Sequence, residues 1–159
     1  MEKRHIIKNI LLFSIFYSII FSQGLKVNNK KIINVENYSL VPFKEIVHKD
    51  SVRIVSFAEI PFSTLQFIKN SDGYIAKYQI SIGIRNNKGI DISHQIWSDS
   101  IKVNEYESTK SKYRNRKHYF SHNVEKNQNY IAFAELIDLD TRKRGLKEKK
   151  INLKKLNGY

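Results

Sequence analysis

The clearest pattern along the chain is a two-residue alternation of polar and apolar side chains over residues 74–85. Lys77, Gln79, Ser81 and Arg85 fall on one face of an extended strand, because successive side chains of a strand point to opposite faces. The pattern predicts a strand with one wetted and one buried face, as an antiparallel sheet allows. The apolar face consists of Tyr74, Ala76, Tyr78, Ile80, Ile82 and Ile84.

A tight turn and a second alternating segment follow this strand. The sequence Asn-Asn-Lys-Gly at residues 86–89 supplies residue types that favour turns. Ile90, Ile92, His94 and Ile96 then continue the alternation towards residue 101. Residues 74–101 are therefore predicted to form a β-hairpin.

Further strands are predicted on both sides of the hairpin. Residues 52–60 alternate until Pro61, which ends the strand because proline cannot donate to a sheet ladder. Residues 118–124 alternate as well, and residues 130–138 are apolar on both faces, as a covered central strand requires. The last strand, residues 146–153, is rich in lysine, which protects a sheet edge from pairing with another chain.

The number and spacing of these strands predict the fold class. About seven short strands separated by Gly, Asn and Asp turns, with no long helical period, indicate an all-β, immunoglobulin-like antiparallel β-sandwich over residues 51–156. Residues 25–50 are predicted to form a linker or a short N-terminal strand, and the polar residues 102–117 a long exposed connection. Val124, Asn127 and Tyr130 have the spacing of a tyrosine corner, in which the phenol hydroxyl bonds to upstream backbone.

The first 24 residues have the layout of a helical secretory signal peptide. Lys3, Arg4 and Lys8 form a positive region, and an apolar stretch over residues 10–21 follows it. This stretch is shorter than the roughly 20 residues that span a bilayer as a helix, which favours cleavage after Ser22 or Gly24 over retention as an anchor. The folded part is expected beyond the cytoplasmic membrane, in the periplasm, at the cell surface or secreted.

Composition narrows the possible kinds of site. The 159 residues are 41% hydrophobic, which suffices for one core, and the chain has no cysteine, which excludes disulfides, thiolate metal sites and a cysteine nucleophile. The formal net charge is +13. Because lysine is abundant along the whole chain, the sequence indicates a diffuse basic excess rather than a designated binding patch.

Two groups of residues could in principle hold a metal ion, and neither has suitable spacing. His118 and His122 would share a strand face, with His94 on a neighbouring strand, but the first two would lie about 13 Å apart along an extended chain. Asp138, Asp140 and Thr141 could offer oxygen ligands to calcium, although side chains that cap their own turn explain this sequence better. We therefore predict no metal site and no cofactor.

The densest basic segment outside the C-terminal tail lies between residues 110 and 118, where Tyr113 interrupts the cations. Such a segment can contact an anionic lipid headgroup or polysaccharide, and nucleic acid is not an expected partner of an exported domain. Lysines at positions 147, 149, 150, 154 and 155 could contribute. The candidate contact residues are Lys110, Lys112, Arg114, Arg116 and Lys117.

Two sequence segments and several single residues resemble the N-terminal region of bacterial GWxTD-domain proteins. The segments are residues 59–67 (EIPFSTLQF) and 72–78 (DGYIAKY). Further agreement comes from Trp97, which closes a predicted strand, from Thr109 in the next loop, and from residues 130–140. The Gly-Trp-x-Thr-Asp motif of that family is absent from this sequence. The resemblance implies an exported envelope protein with an immunoglobulin-like module, in which Pro61, Trp97 and Tyr130 are structural, and it transfers no functional site.

No sequence motif points to catalysis. Nucleophile elbows, phosphate-binding glycine loops and His-Glu-x-x-His segments are absent from the sequence, so the chain is not expected to be an enzyme. The prediction is a non-catalytic module of the bacterial cell envelope that binds an envelope protein through a sheet face or the loops at one end. The alternative is a module that binds an anionic surface through the basic segment.

Overall fold

The computed structural model describes residues 37–153, which form eight antiparallel strands. The prediction of a signal peptide over residues 1–24 falls outside the described residues. One short helix, α1, and one 3-10 turn interrupt the strands. The strands are β1 (Ser39–His48), β2 (Ser51–Pro61), β3 (Ile68–Asn70), β4 (Gly73–Asn86), β5 (Asp91–Val103), β6 (Asn115–Glu125), β7 (Asn129–Asp138) and β8 (Arg144–Asn152); α1 is Tyr106–Thr109 and the 3-10 turn is Phe62–Thr64.

The strands form two sheets of unequal width. One sheet has three strands in the order β1-β2-β6. The other sheet has five strands. β5 pairs with one edge of β4, the short β3 and the longer β7 both pair with the other edge of β4, and β8 pairs with β7. This arrangement confirms the predicted immunoglobulin-like antiparallel β-sandwich.

The core lies between the two sheets and is built from the alternation that the sequence shows. In β4, the side chains of Ala76, Tyr78, Ile80, Ile82 and Ile84 are all fully buried, as the sequence predicts. They face fully buried side chains of β2, and burial of each large apolar side chain contributes about 1.5–3 kcal/mol relative to exposure. The buried positions of β2 are Val52, Ile54, Ser56, Ala58 and Ile60.

The hydroxyl groups of two tyrosines lie within hydrogen-bond distance of backbone carbonyl groups. The Tyr130 hydroxyl donates to the carbonyl oxygen of Glu125 at 3.0 Å, which is the bond that the tyrosine-corner spacing predicts. The buried Tyr38 hydroxyl lies 2.7 Å from the carbonyl oxygen of Ala134 and 2.8 Å from that of Gly145. Tyr38 precedes β1 directly, so this contact joins the start of one sheet to strands β7 and β8 of the other.

Three sequence-based boundaries differ from the structure. Residues 39–48, within the predicted linker or short N-terminal strand of residues 25–50, form the ten-residue strand β1 and pair with β2 almost throughout, so the folded domain begins before residue 51. The exposed connection predicted over residues 102–117 is shorter, because β5 extends to Val103, β6 starts at Asn115, and α1 lies between them. Trp97 lies in the middle of β5 and does not close it.

The turn after β7 is organised by one buried carboxylate. Asp138 Oδ1 accepts hydrogen bonds from the backbone N–H groups of Asp140 at 3.1 Å and Thr141 at 2.9 Å. Its Oδ2 accepts a bond of 2.6 Å from the backbone N–H of Gln66, in the segment between the 3-10 turn and β3. The carboxylate therefore caps its own turn, as the sequence predicts, and in addition holds a segment 72 residues away.

Gly83 in β4 is required by the close packing on the outer face of the five-stranded sheet. A Cβ atom at this position would lie 2.5 Å from His94 Cβ, 2.6 Å from the Ser93 carbonyl oxygen and 2.8 Å from Phe133 Cε1. The Phe133 ring occupies this space and is covered by the Arg85 guanidinium, 4.0 Å above the ring centroid. The outer face thus buries an aromatic side chain without a third layer.

None of the helices within residues 37–153 is long and apolar enough to cross a membrane.

Substitution Gly83→Ala is expected to lower the free energy of unfolding by about 1–3 kcal/mol, the usual cost of overpacking. The new methyl group would meet backbone and a buried ring, neither of which can move freely. Urea denaturation followed by circular dichroism measures the change. Ser81→Ala, on the same face of β4, is the control and should stay within about 0.5 kcal/mol of the wild type; equal stability of both variants would contradict the packing argument.

Substitution Asp138→Ala is expected to destabilise the fold by about 2–3 kcal/mol, because three backbone N–H groups lose a charged acceptor and that of Gln66 is partly buried. Thermal and urea unfolding give this value. Asp140→Ala removes an exposed carboxylate from the same turn and serves as the matched control. A similar, small effect of both substitutions would show that the Gln66 contact does not support the fold.

Candidate interaction surface

Three aromatic side chains form a row across the outer face of the three-stranded sheet. Phe43 on β1, Phe57 on β2 and Tyr119 on β6 are 55%, 40% and 66% exposed. The Phe43 and Phe57 ring centroids are 5.6 Å apart and edge to face, and those of Phe57 and Tyr119 are 6.2 Å apart. We call Phe43, Phe57 and Tyr119 the aromatic row.

The registers of the strands explain why these residues meet. Phe57 lies directly opposite Tyr119, and Phe43 lies opposite Val55, two residues from Phe57 on the same face. Val41, opposite Phe57, is 45% exposed and extends the apolar surface along β1. Because the buried residues of the three strands lie at the alternate positions, these side chains point away from the core.

Ion pairs limit the aromatic row at both ends. Arg53 Nη1 lies 3.3 Å from Glu45 Oε2, and its Nε donates to Asn123 Oδ1 at 3.2 Å. At the other end, Lys117 Nζ lies 2.9 Å from Glu59 Oε1. An apolar, aromatic centre between polar groups is the usual anatomy of a protein–protein interface.

A groove of about 300 Å³ runs beside the aromatic row, between β5 and β6. Its floor includes the half-buried Trp97, whose ring centroid lies 5.3 Å from that of His118. The groove is lined by Gln95 and Trp97 of β5 and by residues 117–121 of β6.

A chain of polar groups lies at the side of this groove. The Tyr78 hydroxyl lies 3.1 Å from Asp99 Oδ2 and 2.8 Å from His118 Nε2, and Arg116 Nε lies 3.7 Å from the same Asp99 oxygen. An ionised Asp99 can only accept, so a hydroxyl that donates to it can accept from an Nε2–H of His118. Burial, and next the charge of Asp99, raises the pKa of Tyr78, so this hydroxyl stays protonated.

The pKa of His118 is lowered, chiefly because its ring is partly buried. The positive charge of Arg116 lowers it further, and the negative charge of Asp99 opposes both effects. His118 is therefore held as a neutral imidazole at neutral pH. The arrangement couples a buried tyrosine to a surface ion pair.

The residues of the predicted anionic contact lie partly in a connection and partly on a strand. Lys110, Lys112 and Arg114 lie in the connection before β6, whereas Arg116 and Lys117 lie on β6 itself and face opposite sides of the sheet. Lys110 and Arg114 make local contacts: Lys110 Nζ is 3.4 Å from Glu107 Oε1 and 4.2 Å from the centroid of the Tyr106 ring, and Arg114 donates to Ser108 Oγ at 2.9 Å. Lys147, Lys149 and Lys150 are on β8, and positions 154 and 155 lie outside the described residues.

The remaining candidate residues are distributed over the sandwich. His118 and His122 are on β6 and His94 is on β5, and in residues 37–153 no group of three or more His, Asp or Glu side chains is placed to hold a metal ion. Pro61 ends β2 and leads into the 3-10 turn, and Tyr130 opens β7.

Sequence reasoning missed the aromatic row. Phe43 lies in the predicted linker or short N-terminal strand, and the sequence pattern identifies Phe57 and Tyr119 only as members of alternating segments. The sequence does contain one signal of it. Val55 and Phe57 are apolar, although they lie on the face of the strand opposite to the residues that are predicted to fill the core. The complete surface also requires the pairing of β1 with β2, because Phe43 lies on β1.

The sequence matches no family model and no curated protein. Among solved structures, the chain is similar to parts of a putative β-galactosidase from Bacteroides fragilis (TM-score 0.46, 10% identity, 71% of this chain and 16% of that chain). It is also similar to a calcium-binding mutant of β-glucuronidase 2 from Bacteroides uniformis (TM-score 0.48, 10% identity, 71% and 13%) and to a protein from Archaeoglobus fulgidus (TM-score 0.32, 10% identity, 72% and 94%). The chain thus spans less than a fifth of either glycosidase, and a likeness at this level carries no argument about activity.

The lowered pKa of His118 predicts a pH dependence of stability. Below the ordinary histidine value of 6.5, the unfolded chain binds a proton that folded His118 resists, so the free energy of unfolding falls as the pH drops through this value. Wild type should therefore lose more stability than His118→Gln between about pH 7.5 and about pH 5. Urea unfolding across this range measures the free energy of unfolding. Gln95→Ala is the control, because Gln95 lines the same groove without titrating, and this variant should show the wild-type dependence on pH. Parallel curves for wild type and His118→Gln would refute the prediction.

Proposed function

We propose that this chain is an exported, non-catalytic β-sandwich module that binds a protein partner through the aromatic row. The observation that carries the proposal is the exposure of Phe43, Phe57 and Tyr119 side by side on one sheet face. Isolated exposed apolar residues are common on soluble proteins, whereas a contiguous apolar patch with a polar rim marks an interaction site. Aromatic side chains are also the residue types that concentrate binding energy at interfaces.

The rigidity of the surface supports the same function. Phe57 and Tyr119 stand beside Ala58 and Phe120, which are buried in the core, and the Phe43 ring packs edge to face against Phe57. The rings are therefore held in position before a partner arrives, which lowers the conformational entropy lost on binding. The ion pairs Arg53–Glu45 and Lys117–Glu59 keep polar groups at the rim, where they can set the orientation of the partner.

The export part of the proposal rests on the N-terminal sequence. A positive region and an apolar stretch of about 12 residues are the features of a secretory signal. The resemblance of residues 59–67 and 72–78 to GWxTD-domain proteins supports a place in the bacterial cell envelope. An envelope protein is accordingly the proposed class of partner.

Binding to an anionic surface receives less support from the described residues. Lys110, Arg116 and Lys117 each lie within 4 Å of a carboxylate, which reduces the positive potential that they present. An electrostatic contact of this kind would weaken as salt rises. A contact dominated by the aromatic row would persist, because burial of apolar surface is not screened by ions.

The test is affinity capture of envelope proteins with the full chain and two variants of the aromatic row, Phe43→Ser and Phe57→Ser. Retention of the partner should fall at least about tenfold, as expected for loss of an aromatic interface residue. Tyr113→Ser is the control, because Tyr113 is 94% exposed in the connection before β6 and remote from the row in sequence and element. Circular dichroism establishes that each variant is folded.

Two outcomes would overturn the proposal. One is capture of the same proteins, in the same amounts, by the wild type and both aromatic-row variants. The other is capture that disappears at high salt and responds to Lys112→Ala but not to Phe57→Ser, which would assign the contact to the basic segment instead.

A further inference from the structure

Five strands lie at the sheet edges of the described region, and two of the longer ones carry features that prevent pairing with another chain. Strand β1 contains Pro42 and a register irregularity between Ile46 and His48. Strand β8 carries Lys147, Lys149 and Lys150. Proline, bulges and lysine are the usual means by which proteins protect an open edge.

Strand β6 lacks these protections. Its eleven residues, Asn115–Glu125, contain no proline and pair with β2 in one unbroken register from Pro61 to Ser51. In the described part of the chain β6 pairs with β2 alone, so its other edge presents backbone N–H and C=O groups. The only lysine and arginine of β6 are at its start, Arg116 and Lys117.

The lining of the groove shows which edge is open to it. Strand β6 contributes five successive residues, 117–121, as a strand does when its edge is exposed. Strand β5 contributes alternate residues, Gln95 and Trp97, as a strand does when one of its faces is exposed. The groove is therefore a channel with the edge of β6 as its wall and the inner face of β5 as its floor.

The unequal width of the sheets explains this floor. Asp99, Trp97 and Gln95 lie opposite the core residues Tyr78, Ile80 and Ile82 of β4 and so point towards the three-stranded sheet. That sheet ends at β6, and their side chains remain exposed or half-buried while their β4 partners are fully buried. One additional strand beside β6 would cover them.

We propose that the edge of β6 accepts an extended segment of the protein partner as a fourth strand of the sheet. The inference rests on the proposed function, since it specifies how a protein partner engages this module. An extended polypeptide is the ligand that matches a row of backbone donors and acceptors, whereas a lipid or a glycan has no such repeat.

The groove also specifies the side chains of the segment. A residue pointing inward would lie on Trp97 and His118, so alternate residues of the segment are apolar or aromatic. Arg116 and Lys117 have more N–H donors than their ion pairs use. The net charge of the chain is +13, which favours an acidic ligand. The end of the segment beside Arg116 and Lys117 is therefore acidic.

The test uses random twelve-residue peptides displayed on phage and selected on the full chain. The selected peptides are expected to alternate apolar and polar residues, to lack central proline and to carry Asp or Glu at one end. The best peptide is then synthesised in two forms, N-methylated at one or the other set of alternate residues. One form should bind at least about tenfold more weakly and the other nearly as well as the parent, because a strand added to an edge uses only half of its N–H groups.

Protein variants locate the site. Trp97→Ala should weaken the parent peptide at least about fivefold, because it removes the floor of the groove. Ile92→Ala is the matched control, since Ile92 is an exposed residue of the same strand that does not line the groove. Hydrogen exchange should show new protection of β6 amides when the peptide is bound.

The outcomes separate this inference from the proposed function. Equal binding of the two N-methylated forms, or binding lost in Phe43→Ser but retained in Trp97→Ala, overturns the added strand, and in the second case the aromatic row remains supported. Failure to select any peptide while the chain still captures its partner overturns the inference alone. Selected peptides that pass both tests, together with partner capture unaffected by Phe43→Ser and Phe57→Ser, support the added strand and overturn the aromatic row.

Discussion

Burial of one side-chain face from each sheet against the other is the constraint on which the rest of the structure depends. It assigns alternate residues of the central strands to the core, as with Ile80 and Ile82 of β4 against Ile54 of β2. The remaining residues are then free to differ in chemistry. Since one sheet has three strands and the other five, the inner face of β5 extends beyond the edge of β6.

The sequence was sufficient to predict those parts of the fold that depend on local periodicity. The β4–β5 hairpin and the fully buried face of β4 follow from a strict two-residue pattern and the turn sequence Asn-Asn-Lys-Gly, and the Tyr130 bond follows from spacing within seven residues. Strand β1 was not recognised at its full length because it is an edge strand with little burial. Of its ten residues only Leu40 is fully enclosed, so Val41, Phe43 and Ile46 gave an apolar cluster without a clear buried face.

The candidate surface could not be predicted, because it depends on registers between distant segments. Phe43, Phe57 and Tyr119 are separated by 14 and 62 residues and meet only through the pairing of three strands. The same reason explains the division of the basic segment. Its density in the sequence suggested one cationic loop, but Arg116 and Lys117 belong to a strand, and the alternation of a strand sends neighbouring side chains to opposite faces.

The contact of Tyr38 has a mechanical consequence. Its ring is buried and its hydroxyl reaches carbonyl groups of β7 and β8, although its backbone leads directly into β1 of the other sheet. A pulling force applied to the chain on the N-terminal side of this residue would first load the interior of the sandwich and only afterwards unzip β1 from β2. Tension from a tether attached there would therefore reach the five-stranded sheet before β1 separates from β2. The outer surface of the three-stranded sheet would keep its shape until that point.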